Sequence, residues 1–96
     1  MKKRNEQYLS KFYKAVLSLT TEDECDAFFN DVCTIQELES LAQRIEVATL
    51  LKKGESYVDI NKSTGASTAT ISRVSKYYNY GAGGYRMVLE RMEEDV

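Results

Sequence analysis

Hydroxyl, methyl and cationic side chains are concentrated in one short stretch of the chain, residues 67–76. The candidate contact residues in it are Ser67, Thr68, Ala69, Thr70, Ser72, Arg73 and Lys76. Hydroxyls donate and accept hydrogen bonds to base edges, phosphates or bridging waters, and Ala69 and the threonine methyl groups can contact a thymine methyl. Cations bind phosphate, and Lys62 adds one just upstream. This chemistry is typical of a surface that contacts double-stranded DNA.

Two short helices joined by a glycine turn, over approximately residues 56–79, must position this stretch. Gly65 suits the left-handed conformation that ends the first helix, and Ser67 is a candidate N-cap for the second. Ile71 and Val74 then recur at helical spacing and anchor the second helix on the body of the protein. The spacing predicts a helix-turn-helix, in which the N-terminal part of the second helix projects outward and fits the DNA major groove.

Direct base readout by this second helix is predicted to be weak. Residues 67–72 contain no Asn, Gln or Arg for bidentate base contacts, so recognition must use bridging water and DNA shape more heavily. Several tyrosines between Tyr57 and Tyr85 could stack on bases, although tyrosine is commoner at a bundle surface or a dimer seam. Helix pairs with a glycine turn also occur in bundles that never contact DNA, which leaves a protein-interaction module open.

Four further helices are predicted around this pair. Two capping boxes, Thr21–Glu24 and Thr34–Glu37, mark the starts of the second and third helices of the chain. The four helices are expected at about residues 5–19, 21–33, 34–53 and 85–94. The sequence has no strand signal and no internal repeat, so it predicts an all-α fold of six helices.

Apolar spacing predicts which helix faces are buried. The inward stripe expected in the third helix is Leu38, Leu41, Ile45, Ala48 and Leu51. The inward residues expected in the helix-turn-helix are Ile60, Ile71, Val74 and Tyr78. Cys25 and Cys33 would lie about 12 Å apart on one helix, which is too far for a disulfide, so both are expected as small buried hydrophobes.

Composition excludes several classes of enzyme and metal site. The chain has 96 residues, with two Cys and neither His nor Pro. Without His, most zinc and iron sites and His-dependent triads are excluded, so neither a catalytic nor a metal site is predicted. Without Pro and with five Gly, a loop-rich or all-β fold is disfavoured. A single small domain over residues 1–96 is expected, which a homodimer would stabilise.

The net charge of −2 hides an uneven distribution. Residues 1–20 carry five bases and one acid, and residues 56–86 carry four bases and one acid, giving +4 and +3. Residues 21–55 carry three bases and nine acids, and residues 87–96 carry one base and four acids, giving −6 and −3. The two basic segments can therefore face phosphate. Free cysteines, no signal peptide and no apolar run of ~20 residues predict a cytoplasmic protein without membrane segments.

The central residues also resemble a known family. The shared strings are Leu41 with Arg44, Lys53-Gly54-Glu55, Gly65-Ala66 and Ala69-Thr70-Ile71-Ser72-Arg73. Residues 34–73 thereby resemble the Trp repressor family, specifically its Trp-repressor-like branch from Gram-positive bacteria. The resemblance implies an intertwined all-α homodimer, in which the N-terminal helices of both chains interlock and two recognition helices enter successive major grooves. It further implies a palindromic operator with half-sites roughly 34 Å apart.

The resemblance implies a candidate corepressor site as well. In the family two arginines, which match Arg44 and Arg73, sandwich an indole ring. A threonine before the long helix, which matches Thr34, helps to hold the ligand's amino group. The residue after the second arginine is normally glycine, whereas here Val74 places two methyl groups in that space. We therefore predict that no cofactor is required, with tryptophan or another small-molecule corepressor as the alternative.

The sequence thus predicts a DNA-binding transcriptional regulator, a repressor that acts as a homodimer and not as an enzyme. Two alternatives stay open from the residues alone. The helix-turn-helix could bind a protein partner in place of DNA, or Arg44 with Glu39 or Glu46 could bind an anionic metabolite in a small all-α enzyme. An ion pair between Arg44 and one of these glutamates is the simpler structural interpretation.

Overall fold

The computed structural model describes residues 4–94, and over that range the chain forms six α-helices and no strand. The helices are α1 (Glu6–Leu17), α2 (Glu22–Val32), α3 (Ile35–Lys52), α4 (Tyr57–Thr64), α5 (Thr68–Tyr80) and α6 (Gly84–Glu94). The predicted all-α fold of six helices is confirmed, and each helix lies within a few residues of its predicted place. None of these helices combines the length and the hydropathy needed to cross a membrane.

The chain divides into two compact units at a point inside α3, between Leu38 and Glu39. The N-terminal unit, residues 4–38, contains α1, α2 and the first turn of α3. The head, residues 39–94, contains the rest of α3 together with α4, α5 and α6. The expectation of a single domain over residues 1–96 stays a prediction.

The head has a hydrophobic core to which each of its helices contributes. The buried residues are Val47, Ala48, Leu50, Ile60, Ala66, Ile71, Val74 and Leu89. Ile60 and Ile71 are 0% exposed and Val74 is 2% exposed, which confirms the prediction that these three face inward. Full burial of an aliphatic side chain stabilises the fold by about 1.5–3 kcal/mol, so this core is the main support of α5.

The predicted inward stripe of α3 is partly wrong. Ala48 is buried as predicted, but Leu41 and Ile45 are 45% and 36% exposed, and the other buried residues of α3 are Val47 and Leu50. Apolar residues occur around most of the circumference of α3, so their spacing does not define which face the chain itself covers. Leu41 and Ile45 therefore belong to an apolar face of α3 that the chain leaves partly open to solvent.

The N-terminal unit has an aromatic cluster but no enclosed core. Neither α1 nor α2 contains a buried residue. The Phe12 and Phe28 rings are stacked with centroids 6.2 Å apart, and Phe28 meets Phe29 edge-on at 5.3 Å. Leu17 at the end of α1 is 82% exposed, and Val32 at the end of α2 is 53% exposed. The apolar faces of these helices are thus only partly covered within the chain.

Capping boxes begin α2 and α3, one as predicted and one with a shifted partner. At α3 the Glu37 carboxylate accepts from the Thr34 N–H at 2.8 Å, and the Thr34 hydroxyl accepts from the Glu37 N–H at 3.1 Å. At α2 the Thr21 hydroxyl accepts from the Glu24 N–H at 3.1 Å, as predicted. The Glu24 carboxylate, however, accepts from the N–H and hydroxyl of Thr20, at 2.8 and 3.1 Å, one residue earlier than expected.

These bonds to the carboxylates have an electrostatic consequence. Hydrogen bonds donated to an ionised carboxylate favour its charged form. The backbone N–H of Thr20, followed by its hydroxyl, lowers the pKa of Glu24. In the same way the backbone N–H of Thr34 lowers the pKa of Glu37. The starts of α2 and α3 therefore favour the ionised form of these two glutamates.

Cys25 and Cys33 are both free thiols, in agreement with the prediction that they form no disulfide. Cys25 is exposed and Cys33 is half-buried, so the expectation that both are buried hydrophobes is wrong for the chain taken by itself. Both belong to the N-terminal unit, whose described helices α1 and α2 enclose no side chain, and this lack of a core explains their exposure.

Candidate nucleic-acid interface

α4, a tight turn and α5 form the predicted helix-turn-helix. The Ser56 hydroxyl accepts from the Asp59 N–H at 3.2 Å and begins α4. Gly65 ends α4 at φ +75°, a left-handed conformation that other residues rarely adopt, and its N–H donates to the Asn61 carbonyl at 2.9 Å. The Ser67 hydroxyl accepts from the backbone N–H of residue 70 at 3.1 Å and begins α5. The predicted caps and turn are thus confirmed.

Side chains from two helices, α4 and α3, brace this turn. The Asn61 amide donates to the Ala66 carbonyl at 2.8 Å, and the Thr64 hydroxyl donates to the Ile60 carbonyl at 2.7 Å. From α3, the Gln43 amide donates to the Thr64 carbonyl at 3.1 Å. The bond from Gln43 satisfies a carbonyl that α4 leaves free at its end, and the bond from Asn61 ties α4 to the turn that leads into α5. The role of Gln43 has no signal in the sequence, because its partner lies 21 positions away.

The candidate contact residues share one exposed face of α5. Ala69, Ser72, Arg73 and Lys76 follow at positions i, i+3, i+4 and i+7, so they line a single side of the helix, and all four are exposed. Thr68 in the first turn and Lys62 on α4 are exposed as well. α5 contains no acidic residue. The face therefore carries hydroxyl, methyl and positive groups, with no carboxylate on the same helix.

Ser67 and Thr70 differ from the other candidate residues, because their hydroxyls are already engaged. The Ser67 hydroxyl accepts from the Thr70 N–H and donates to the Thr70 hydroxyl, both at 3.1 Å. Thr70 is also half-buried. These two residues stabilise the first turn of α5. The exposed residues Thr68, Ala69 and Ser72 are therefore the uncharged candidates that remain free to contact DNA.

The exposed cations of α5 lie against an aromatic ring. The Arg73 guanidinium carbon is 5.6 Å from the centroid of the Tyr77 ring, and the Lys76 Nζ is 5.8 Å from the same centroid. Tyr77 is 46% exposed. This arrangement was not predicted from the sequence, although the Arg73–Tyr77 spacing of four residues on a helix is the signal that could have revealed it.

A second arginine joins α6 to the end of α5. The Arg86 guanidinium lies 4.3 Å from the centroid of the Tyr78 ring. Its Nε donates to the Tyr78 carbonyl at 3.0 Å, and its Nη2 donates to the Asn79 side-chain oxygen at 3.3 Å. At the end of α5, a Cβ added to Gly81 would collide with the Tyr77 carbonyl, so the bend between the helices requires glycine there.

Comparison with known proteins decides the family of this chain. Residues 7–93 match the family described as Trp repressor protein. The chain belongs to the Trp repressor family. It is 51% identical over 86 residues to YerC of Bacillus subtilis (strain 168), and the match covers 90% of this chain and 83% of YerC.

Two solved structures are similar to this Trp repressor family member along most of its length. A TrpR-like protein from Eubacterium eligens ATCC 27750 is 52% identical, with a TM-score of 0.89, and the match covers 91% of this chain and 90% of that chain. A candidate Trp repressor from Staphylococcus aureus is 44% identical, with a TM-score of 0.88, and the match covers 91% of this chain and 87% of that chain. The six-helix fold is thus that of Trp repressor-like proteins.

The positions that match the family's corepressor site have different environments. Arg44 is half-buried on α3, and Arg73 is exposed on α5 beside the Tyr77 ring. The Thr34 hydroxyl is engaged as the cap of α3. Val74, which replaces the family's glycine, is enclosed in the core of the head. Of the three candidate corepressor residues, Arg73 is exposed, Arg44 is half-buried, and Thr34 is exposed but has its hydroxyl engaged as a cap.

The structure does not support the ion pairs considered for Arg44. Among the side chains of residues 4–93, the ion pairs are Arg4 with Glu6 at 3.5 Å and Lys52 with Glu93 at 2.9 Å, and neither involves Arg44. Arg44 thus pairs with neither Glu39 nor Glu46. Across the same residues, no group of three or more metal-ligating side chains is placed to hold an ion.

An apolar groove lies beside the candidate interface within the head. It has a volume of about 340 Å³ and is lined by Ile45, Tyr77, Ala82, Gly84, Tyr85 and Val88. Ile45 and Val88 are 36% and 38% exposed, which is unusual for aliphatic side chains on helices that otherwise face a core. The groove brings the open face of α3 together with α6 and the C-terminal part of α5.

Proposed function

We propose that this chain is a sequence-specific DNA-binding transcriptional regulator, a repressor that inserts α5 into the major groove. The observation that carries the proposal is the exposed, acid-free face of Ala69, Ser72, Arg73 and Lys76 on a helix that a glycine turn and an enclosed core hold rigidly. A helix on such a support can present its N-terminal residues to base edges. Membership of the Trp repressor family supports the same role.

Phosphate contacts supply most of the affinity in this proposal, and hydroxyl and methyl groups supply the specificity. Lys62, Arg73 and Lys76 are exposed and can neutralise phosphates on either side of the groove. Thr68, Ala69 and Ser72 offer hydrogen bonds and methyl contacts to bases, directly or through water. The lack of a bidentate amide among them fits recognition that depends on DNA shape.

We propose a homodimer as the active form. α1 and α2 bury no residue within the chain, and Leu17, Leu41 and Ile45 leave apolar surface open on both units. Apolar area of this kind is stabilised when a second copy covers it. Two heads related by twofold symmetry would read a palindromic operator with half-sites about 34 Å apart.

The proposal requires no small-molecule effector. Val74 stands where the family has glycine, and its side chain is enclosed in the core of the head and only 2% exposed, so that position leaves no open space for a ring. The ring of Tyr77 already lies against the Arg73 guanidinium, where an aromatic ligand would otherwise stack. Titration calorimetry should therefore detect no binding of tryptophan or related indoles to the wild-type protein, with Val74→Gly as the comparison variant. Tight binding by the wild type would refute the steric argument.

The experiment that tests the function is selection of bound duplexes from a random pool, followed by fluorescence anisotropy on the recovered sequences. We expect an enriched palindrome, and an affinity that falls with salt at a log–log slope of about −0.9 for each phosphate contact. Arg73→Ala and Lys76→Ala should each weaken binding and reduce that slope by about one. Arg91→Ala, which removes an exposed cation of α6, is the matched control. If no sequence were enriched and neither α5 variant lost affinity for DNA, the proposal would be wrong.

A further inference from the structure

We propose that Tyr77 is a positioning residue for DNA binding, whose ring holds the Arg73 and Lys76 side chains in place to contact phosphate. This inference rests on the proposed function and deepens it. Both exposed cations of α5 have their head groups within 6 Å of the ring centroid, Arg73 at 5.6 Å and Lys76 at 5.8 Å. A cation within that distance of a ring face is attracted by the ring's quadrupole.

The surroundings of the two cations leave the ring as their main partner. Among the side chains described, residues 4–93, no ion pair involves Arg73 or Lys76, and no hydrogen bond uses their head groups. Arg86 is the contrast, because its guanidinium stacks on Tyr78 and also donates to two oxygens of the protein. Arg73 and Lys76 therefore keep their N–H donors available while their long side chains are restrained.

An aromatic partner suits this task better than a carboxylate would. A carboxylate beside Arg73 would cancel its charge and repel an approaching phosphate. A ring restrains the side chain without cancelling the charge, so the positive potential of the α5 face is preserved. Ordering a long, flexible side chain costs conformational entropy, and a side chain that is already restrained loses less when it binds. The partial exposure of Tyr77, 46%, leaves the ring edge and both cations open to solvent and to DNA.

The test is anisotropy of the full-length protein on a fluorescein-labelled duplex of mixed sequence, about 30 base pairs long, so that two half-sites fit. Tyr77→Ala should weaken binding by about two- to fivefold for each cation–π contact that is lost. Tyr77→Phe should bind as the wild type does, because phenylalanine keeps the ring face. Tyr80→Ala is the matched control, since Tyr80 is an exposed tyrosine of the same helix, 87% exposed, over which no cation is found in residues 4–94.

A double-mutant comparison separates positioning from mere support of the fold. In an Arg73→Gln, Lys76→Gln background, Tyr77→Ala should cause no further loss of affinity, because the side chains that the ring restrains are gone. Circular dichroism melting of every variant reports folding independently of binding. An equal loss in both backgrounds, or binding by Tyr77→Ala that matches or exceeds the wild type, would overturn the positioning role and leave the proposed function intact. No binding by the wild type would overturn both.

Discussion

The two units of this chain are stabilised by different interactions. The head encloses eight residues from four helices and the α4–α5 turn, and Ile60 and Ile71 are 0% exposed. In the N-terminal unit, α1 and α2 contain no buried residue and are organised by capping boxes and an aromatic cluster. The head has its own source of hydrophobic stabilisation, whereas the N-terminal unit lacks one within the chain.

Under the proposed function, this difference would separate a head that contacts DNA from an N-terminal unit that contacts a second copy. A helix that reads DNA must be held rigidly, and the enclosed core of the head would give α5 that support in a single chain. Helices with uncovered apolar faces are stabilised chiefly by tertiary or intermolecular packing. We therefore expect the stability of the head to be independent of protein concentration, and the stability of the N-terminal unit to depend on it.

The largest effect should come from the core of the head. Ile60→Ala removes a fully enclosed side chain and should lower the free energy of unfolding by about 2–5 kcal/mol. Val58→Ala, at a position of α4 that is 64% exposed, is the control and should change it by less than about 0.5 kcal/mol. Urea unfolding followed by circular dichroism measures both values. Equal effects at the two positions would mean that the head has no distinct core.

Dilution should reduce amide protection in the N-terminal unit and leave it unchanged in the core of the head. If a second copy covers α1 and α2, their amides should lose protection by up to about 1.4 kcal/mol for each tenfold dilution in the range where the dimer dissociates. Amides of Ile60 and Ile71 should be unaffected, because their burial is internal to the head. Hydrogen exchange with mass spectrometry at several protein concentrations gives both readings. Protection of α1 and α2 that ignores concentration would contradict the proposed dimer.

A smaller effect is expected where α6 joins α5. Arg86→Ala removes the stacking on Tyr78 and the bonds to the Tyr78 carbonyl and to Asn79, and should cost about 1 kcal/mol, with greater exchange in α6. Arg86→Lys keeps the charge but loses the planar fork, so it should fall between the wild type and Arg86→Ala. If Arg86→Lys were as unstable as Arg86→Ala, the stabilisation would come from the planar guanidinium and its bonds, and not from the positive charge.

Acid should affect the N-terminal unit through its two capping glutamates. The pKa of Glu24 and that of Glu37 are lowered in the folded chain, so their stabilisation is complete above the ordinary glutamate pKa of about 4.3 and is lost as pH falls through the folded values. Glu24→Gln and Glu37→Gln should each reduce this acid dependence of α2 and α3, measured by helix content and exchange. Glu22→Gln, in the same first turn of α2, serves as the control. If the acid dependence were unchanged in both capping variants, groups other than Glu24 and Glu37 would be its cause.

Local chemistry made much of the head predictable from sequence. Ser56, Gly65 and Ser67 occupy the cap and turn positions predicted for them, because capping depends on residues only a few positions apart. Ile71 and Val74 were placed correctly by helical spacing for the same reason. The elements that present the candidate site therefore follow from short-range rules.

Features that depend on distant partners or rotamers were not predictable in this way. The spacing in α3 indicated Leu41 and Ile45 as inward, but the chain itself covers the side with Val47 and Leu50, and spacing does not specify which molecule covers a face. The bond from Gln43 to the Thr64 carbonyl joins residues that are adjacent only after folding. The Glu24 carboxylate accepts from Thr20, one residue before the predicted partner, and a sequence pattern with two consecutive threonines does not distinguish between them.

Within the candidate site, residue spacing predicted which residues lie together on α5, but it did not predict the role of each residue. Arg73 and Lys76 are exposed as that surface requires, whereas the Ser67 and Thr70 hydroxyls bond to each other and shape the first turn of α5. A hydroxyl is equally suited to capping and to base contact, so only its geometry distinguishes the two uses. The contact of Tyr77 with both cations likewise depends on side-chain conformations that the sequence does not specify.

The consecutive packing of α4 on α5 and of α5 on α6 has a kinetic consequence. Contacts between neighbours in sequence close short loops, and helical domains with such local contacts fold within microseconds to milliseconds. The chain contains no proline, so no X–Pro isomerisation can delay any step. A newly made head can therefore reach its folded shape early. If the active form is the proposed homodimer, pairing with a second chain is a later, bimolecular step whose rate depends on the amount of protein that the cell makes.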